Sequence, residues 1–202
     1  MVETGSLEVL NILANASATI AEGEVLQLTV SRDISTDEGI YLKVIRGKTA
    51  ALFSAATQVG AVISGSEEPI INALYKYGDA LGVAFQIVDD LLDVAGDSKI
   101  IGKNNGDDFR ERKLTLPFIK AISSCNQNEK DFWKRTIEKG DQTSEDFNKA
   151  LELMQKYEAI ERTRLDALKW AKTAKNSLDA VPDNDIKIIL TNLADYVVDR
   201  VK

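Results

Sequence analysis

Gln86, Asp89, Asp90 and Asp93 lie within the run Phe-Gln-Ile-Val-Asp-Asp-Leu-Leu-Asp that spans Phe85 to Asp93. At about 3.6 residues per turn, these four positions share one stripe of a helix. An amide and three carboxylates then point the same way, while Phe85, Ile87, Val88, Leu91, Leu92 and Val94 cover the remainder. So much like charge beside so much apolar surface is unfavourable unless something neutralises it. A hard divalent cation bridging to phosphate groups would do so, because Mg2+ takes a few carboxylate oxygens and fills its other positions with water or phosphate. A solvated acidic face is the alternative, and the hydrophobic flanks argue against an ordinary surface helix.

Two basic elements complement the stripe. Lys48 and Thr49 are expected to open an apolar helix, so that an ammonium, a hydroxyl and free backbone amides coincide at the end that favours anions. Lys103 and Lys113 bracket the polar loop that begins at Gly102. Neither basic element is specific alone. With the acidic stripe and an apolar helix beside it, they describe a site for a diphosphate attached to a greasy chain.

Helices must hold these residues. Ser6 is placed to cap a first helix that carries Leu7, Leu10, Ile12, Leu13 and Ala16 and runs toward Leu28. Asp33 and the run Ser35 to Gly39 mark a loop and a new N-terminus, from which helices are expected over 40–47 and 48–64. The latter is apolar on nearly every side, so it should be buried or line a cavity. A break from Ser64 to Pro69 precedes a long helix, 70–95, with the acidic stripe near its C-terminal end. The glycine-bearing polar stretch 96–112 reads as a functional loop. A helix restarts at Leu114 to Pro117, and amphipathic helices follow at 128–139, 143–157, 158–178 and 183–201. The reading is a single all-α domain over residues 1–202.

Composition narrows the chemistry. The chain has no histidine, which excludes a Ser-His-Asp triad, a Cys-His pair and a His-ligated zinc site, and leaves oxygen ligands for any metal. Cys125 is the only cysteine, so no internal disulfide can form, as suits a reducing compartment. A net charge of −7 lacks the basic footprint of a nucleic-acid binder. The first residues, Met1 to Ser6, do not have the pattern of a signal peptide, and the most apolar segment, Ala50 to Ile63, is too short to span a bilayer. These features suit a cytoplasmic protein.

The runs Ala21 to Gln27, Gly47 to Ala50, Tyr77 to Gly82, Phe85 to Asp93 and Gly106 to Pro117 resemble the motifs of trans-isoprenyl diphosphate synthases, the polyprenyl synthetases, in the family order. The resemblance is greatest to the long-chain bacterial type that makes quinone side chains. It implies an all-α isoprenoid synthase bundle with Mg2+ as cofactor, and allylic and isopentenyl diphosphates as substrates. Asp89 would be the principal Mg2+ ligand, with Asp90 and Asp93 in support. Lys48, Thr49, Gln86 and Lys103 would hold the allylic diphosphate, with Lys113 in a supporting electrostatic role and Glu24 and Gln27 facing the metal cluster. The implied reaction ionises the allylic diphosphate, and Asp89, Lys48 and Lys103 carry its catalysis. The cation then alkylates isopentenyl diphosphate, and the departing diphosphate takes the proton.

Members of the family also carry an earlier aspartate-rich motif and a Gly-Gly-Lys-x-x-Arg-Pro element, neither of which occurs here. The resemblance therefore implies the C-terminal portion of a synthase bundle without its N-terminal helices, inactive alone. It would act as a homodimer or beside the missing half, with apolar faces of 50–63 and 74–92 laid open. A non-catalytic partner of an intact synthase is the alternative. A terpene cyclase shares the metal logic but suits the Gly47 and Gly106 runs poorly. Arg112 stands where the family usually has glycine, which matters if that position needs φ > 0.

Overall fold

The computed structural model describes residues 2–95 and 105–201, and among them there is no β-strand. Helix α1 (Leu7–Val30) starts where Ser6 Oγ accepts the Val9 N–H at 3.3 Å. Asp37 caps α2 (Glu38–Ile45) by accepting the Ile40 N–H at 2.8 Å. Such caps satisfy amides that the first helical turn leaves without partners. After α2 come α3 (Ala51–Ile63), α4 (Glu68–Ala95), a short α5 (Asp107–Arg110), α6 (Leu116–Ser124) and α7 (Gln127–Trp133). The chain ends with α8 (Asp146–Lys156), α9 (Ala159–Ser177) and α10 (Asp185–Asp199).

Helix α4 is the hub. It packs against α3 on one side and α9 on another, and it also meets α6 and α10. Tyr77, Ala80, Leu81, Val83, Ala84, Ile87, Val88 and Leu91 are buried around much of its circumference, as a helix enclosed by neighbours requires. Burying each large aliphatic side chain contributes about 1.5–3 kcal/mol. A second core gathers Phe109, Phe118, Trp133, Ile137, Leu153 and Met154 beneath the C-terminal end of α4. It fixes α6 and also α5, a short helix inside the stretch 96–112 that the sequence marked as a loop.

Two expectations are corrected. Lys48 and Thr49 do not open a helix. Residues 38–63 form one unbroken helical path in which Arg46–Ala50 adopt a π-helical turn, with the Ala51 N–H bonded to the Arg46 carbonyl. No free amides are presented there, because the wider turn keeps backbone pairing intact. Gly47 reads as a helix breaker in sequence, yet its role is close approach: a methyl group on it would lie 2.9 Å from the Gly23 Cα of α1.

The second correction concerns exposed apolar surface. Helix α4 is covered along most of 74–92 by α3, α9, α10 and the π-turn, which leaves Tyr75, at 46%, as its exposed large apolar side chain. Most of the exposure falls on α3, where Leu52 and Ile63 are 55% and 60% exposed, and on α1 and α10. The fully buried residues of α3 are small, Ser54, Ala55 and Ala61, while Phe53 packs against the core beside Phe85 and Leu52 and Ile63 point outward. Among the described residues, no helix is long and apolar enough to cross a membrane.

Candidate active site

The π-turn is wedged between α1 and α4, and glycines make that wedge. A methyl group on Gly23 would sit 2.5 Å from the Lys48 amide nitrogen, and one on Gly82 would sit 2.6 Å from the Ala50 Cα. With backbones this close, Lys48 and Thr49 are held between α1 and the stripe on α4. Lys48 Nζ donates to Gln27 Oε1 at 2.8 Å and pairs with Glu24 at 3.2 Å. Thr49 Oγ1 donates to Gln86 Oε1 at 2.8 Å. Glu24 and Gln27, which the resemblance set facing the metal cluster, thus make their contacts with the basic element.

The three carboxylates of the stripe diverge. Asp89 is exposed and makes no hydrogen bond to another described residue. Asp90 is buried, accepting from Gln86 Nε2 at 2.9 Å on Oδ1 and from the Tyr41 hydroxyl at 2.5 Å on Oδ2. Asp93 receives the backbone N–H groups of Asp107 at 3.0 Å and Asp108 at 3.2 Å, one on each oxygen. It caps α5, and so holds Asp108 in place. A shared helical stripe does not separate these roles, since only the packed neighbours distinguish a side chain facing solvent from one facing Tyr41 or the 106–108 turn.

A cavity of about 230 Å³ joins the pieces. Lys48, Thr49 and Gln86 line it together with Asp89, Asp90, Asp108 and Lys113, and Val30, Val44, Ile45 and Leu114 supply apolar wall. Lys113 pairs with Glu111 and lies 3.7 Å from Asp108. Lys103 lies outside the described residues. Thr115 also lines the cavity, and its buried hydroxyl has no partner among the described residues. Tyr41, Asp108 and Thr115 are the site-lining groups that sequence reasoning missed. The run Gly106 to Pro117 was the available signal for Asp108 and Thr115, while Tyr41 carries none.

The electrostatics are those of a site short of positive charge. Burial pushes the Asp90 carboxyl up to about 7 against the opposing hydrogen bonds from Tyr41 and Gln86. Burial, then the nearby Asp93 charge, lifts Asp108 to about 6. Asp93 is also raised by burial, although the amides of Asp108 and Asp107 oppose it. The Tyr41 phenol stands well above its usual range, through burial and the Asp90 charge. The Glu111 hydrogen bond holds Lys113 above its ordinary value.

These donors fit a divalent cation that takes most of its ligands from phosphate or water. Among the described residues no three acidic or thiol side chains enclose a metal ion. Mg2+ requires fewer, since it binds through one or two carboxylates and takes phosphate or water elsewhere. Asp89 and Asp108, both on the cavity wall and under-compensated, suit a cation that arrives with a diphosphate.

An all-helical bundle with a cleft of this kind overlays closely on solved prenyl synthases. The structure of a decaprenyl diphosphate synthase from Rhodobacter capsulatus matches with a TM-score of 0.95 and 59% identity, covering 100% of this chain and 62% of that one. A polyprenyl synthase from Caulobacter crescentus CB15, solved with calcium and isoprenyl diphosphate, matches with a TM-score of 0.95 and 46% identity, again over 100% and 62%. The family model for polyprenyl synthetase matches residues 1–154, and the chain belongs to that family. Octaprenyl diphosphate synthase of Haemophilus influenzae is 37% identical over 195 residues, covering 96% of this chain and 59% of the relative. The Escherichia coli octaprenyl diphosphate synthase is 38% identical over 200 residues, covering 99% and 62%. The chain thus spans about 60% of the length of these relatives.

Proposed function

We propose that this chain is the part of a Mg2+-dependent polyprenyl diphosphate synthase that holds the allylic diphosphate, in an enzyme that condenses it with isopentenyl diphosphate toward a quinone side chain. The observation that carries this reading is one cavity edged by Lys48, Thr49 and Gln86 on one side and by Asp89 and Asp108 on the other. The similar Caulobacter crescentus synthase was solved with calcium and isoprenyl diphosphate, the two kinds of ligand that such a cavity suits.

Lys48 and Lys113 supply cationic charge to the bound diphosphate, and Lys103 is a third cationic residue assigned to the same role. Gln86 and Thr49 orient the diphosphate by hydrogen bonds. Asp89 holds Mg2+, with Asp108 beside it and Asp93 supporting through its remaining lone pairs. When bound, the metal neutralises charge that develops on the leaving pyrophosphate. The Thr115 hydroxyl offers a further donor on the same wall. Assembly as a homodimer, or with a chain that bears the earlier aspartate-rich motif, and a cytoplasmic location accompany this reading.

These 202 residues contain a single Asp-Asp-x-x-Asp run. Carboxylates from one wall position a metal poorly, so little transfer is expected from the chain alone. The test measures incorporation of labelled isopentenyl diphosphate onto farnesyl diphosphate with Mg2+. The chain is assayed alone and with a polypeptide that carries the earlier motif. Activity on mixing supports the proposal, and product length is read from the same extract. Silence in both arms from folded protein would favour a non-catalytic partner of an intact synthase.

A further inference from the structure

An amide such as Gln86 has a donor end and an acceptor end, and an anion in the cavity is served only by the donor end. Nothing about the side chain itself decides which end faces which neighbour. The described contacts do: Thr49 Oγ1 donates to Gln86 Oε1 at 2.8 Å, and Gln86 Nε2 donates to Asp90 Oδ1 at 2.9 Å. Ionised Asp90 accepts and cannot donate, and its Oδ1 takes the Nε2 hydrogen, so Asp90 commits the Nε2 end to its own side. One N–H of Nε2 is used there and the second remains. Asp90 is held in turn by the Tyr41 hydroxyl at 2.5 Å on Oδ2. Both residues are buried, Tyr41 coming from α2 and Asp90 from α4, so the pair is rigid across two elements.

We infer that Tyr41 and Asp90 are positioning residues that fix the orientation of the Gln86 amide, so that its second N–H is kept for the diphosphate, and that Asp90 does not ligate the metal. The inference rests on the proposed diphosphate site. It separates the stripe into a metal-facing carboxylate, Asp89, and an orienting one, Asp90, two neighbours that the sequence motif treats alike. Without the carboxylate, Gln86 can rotate and present its carbonyl oxygen to an anion, turning an attraction into a repulsion.

The experiment titrates inorganic pyrophosphate into the purified chain by calorimetry at several Mg2+ concentrations. Tyr41→Phe and Asp90→Asn are near-isosteric, and circular dichroism checks that each is folded. Each is expected to weaken pyrophosphate binding about two- to tenfold, the range of one lost hydrogen bond. The Mg2+ concentration for half-saturation should stay unchanged in both, whereas Asp89→Asn should raise it. In a Gln86→Ala background, Tyr41→Phe and Asp90→Asn should have no further effect, because they act through that amide. In a Lys113→Ala background they should multiply.

General loosening of the fold would multiply in both backgrounds, and that result overturns the inference. So does an Asp90→Asn variant whose Mg2+ requirement rises as far as that of Asp89→Asn. Failure of the wild-type chain to bind pyrophosphate with Mg2+ would instead overturn the diphosphate reading, and this inference with it.

Discussion

Replacing Gly23 by alanine tests whether the glycine wedge holds the site. The new methyl would stand 2.5 Å from the Lys48 nitrogen and 2.7 Å from the Gly47 carbonyl carbon, both backbone atoms. Ordinary contacts begin near 3.5 Å, so α1 and the π-turn must part by about 1 Å. Overpacking of that kind costs about 1–3 kcal/mol, offset by a gain of about 0.8–1 kcal/mol in helix propensity. Gly60 supplies the control. It lies inside α3 with nothing within 4 Å of an added methyl, so Gly60→Ala keeps the propensity gain without the clash. The difference between the two variants then isolates the contact.

At about 2–4 °C per kcal/mol for a chain of this size, Gly23→Ala should melt roughly 2–12 °C below Gly60→Ala. Thermal denaturation followed by circular dichroism reads this directly. Because Lys48 is the residue displaced, calorimetric binding of pyrophosphate with Mg2+ should weaken in Gly23→Ala and not in Gly60→Ala. A Gly23→Ala protein that melts with or above Gly60→Ala would refute the wedge.

Other expectations follow from single contacts. Arg112 has φ 59°, the left-handed region that costs a non-glycine residue about 1–2 kcal/mol. Arg112→Gly should therefore exceed Arg112→Ala in urea midpoint, both having lost the guanidinium that packs on Gly140; equal midpoints would show that the backbone is unstrained there. Lys120 is 5% exposed and bridges Glu38 and Asp166, each at 2.8 Å. Removing both acids in Glu38→Gln/Asp166→Asn leaves the ammonium buried and uncompensated, at about 3–5 kcal/mol, while Lys120→Met leaves acids that reach water and should cost less by chemical denaturation. Asp146 is bonded by Arg135 at 2.6 and 3.0 Å, which with the Thr143 amide holds its carboxyl near about 2. A depressed value stabilises the fold above the unfolded carboxylate pKa of about 3.9 and loses that contribution as pH falls toward the folded value. The melting difference between wild type and Asp146→Asn should accordingly be full at pH 6 and shrink between pH 4 and 2; a constant difference would mean the charge plays no part.

Arg112 also shows how a departure from a family pattern is accommodated. The left-handed conformation suited to glycine is adopted regardless, and Lys113 still reaches the cavity. The substitution therefore loads strain into the loop without dismantling the site.

Helix positions were legible in the residues because capping and periodicity are local. Ser6, Asp37 and Asn126 begin helices by hydrogen bonds to amides three residues on, and no distant partner is needed. The stripe Gln86, Asp89, Asp90 and Asp93 was legible for the same reason, since helical pitch alone aligns it. What each carboxylate does was not. Asp89 faces the cavity, Asp90 faces Tyr41 from 49 positions away, and Asp93 caps a turn 14 positions on, so packing assigned them. The continuity of the helix through Lys48 was likewise decided by tertiary structure. In sequence Gly47 signals a break, and only the backbone of α1 lying against it shows that the missing side chain serves contact between helices.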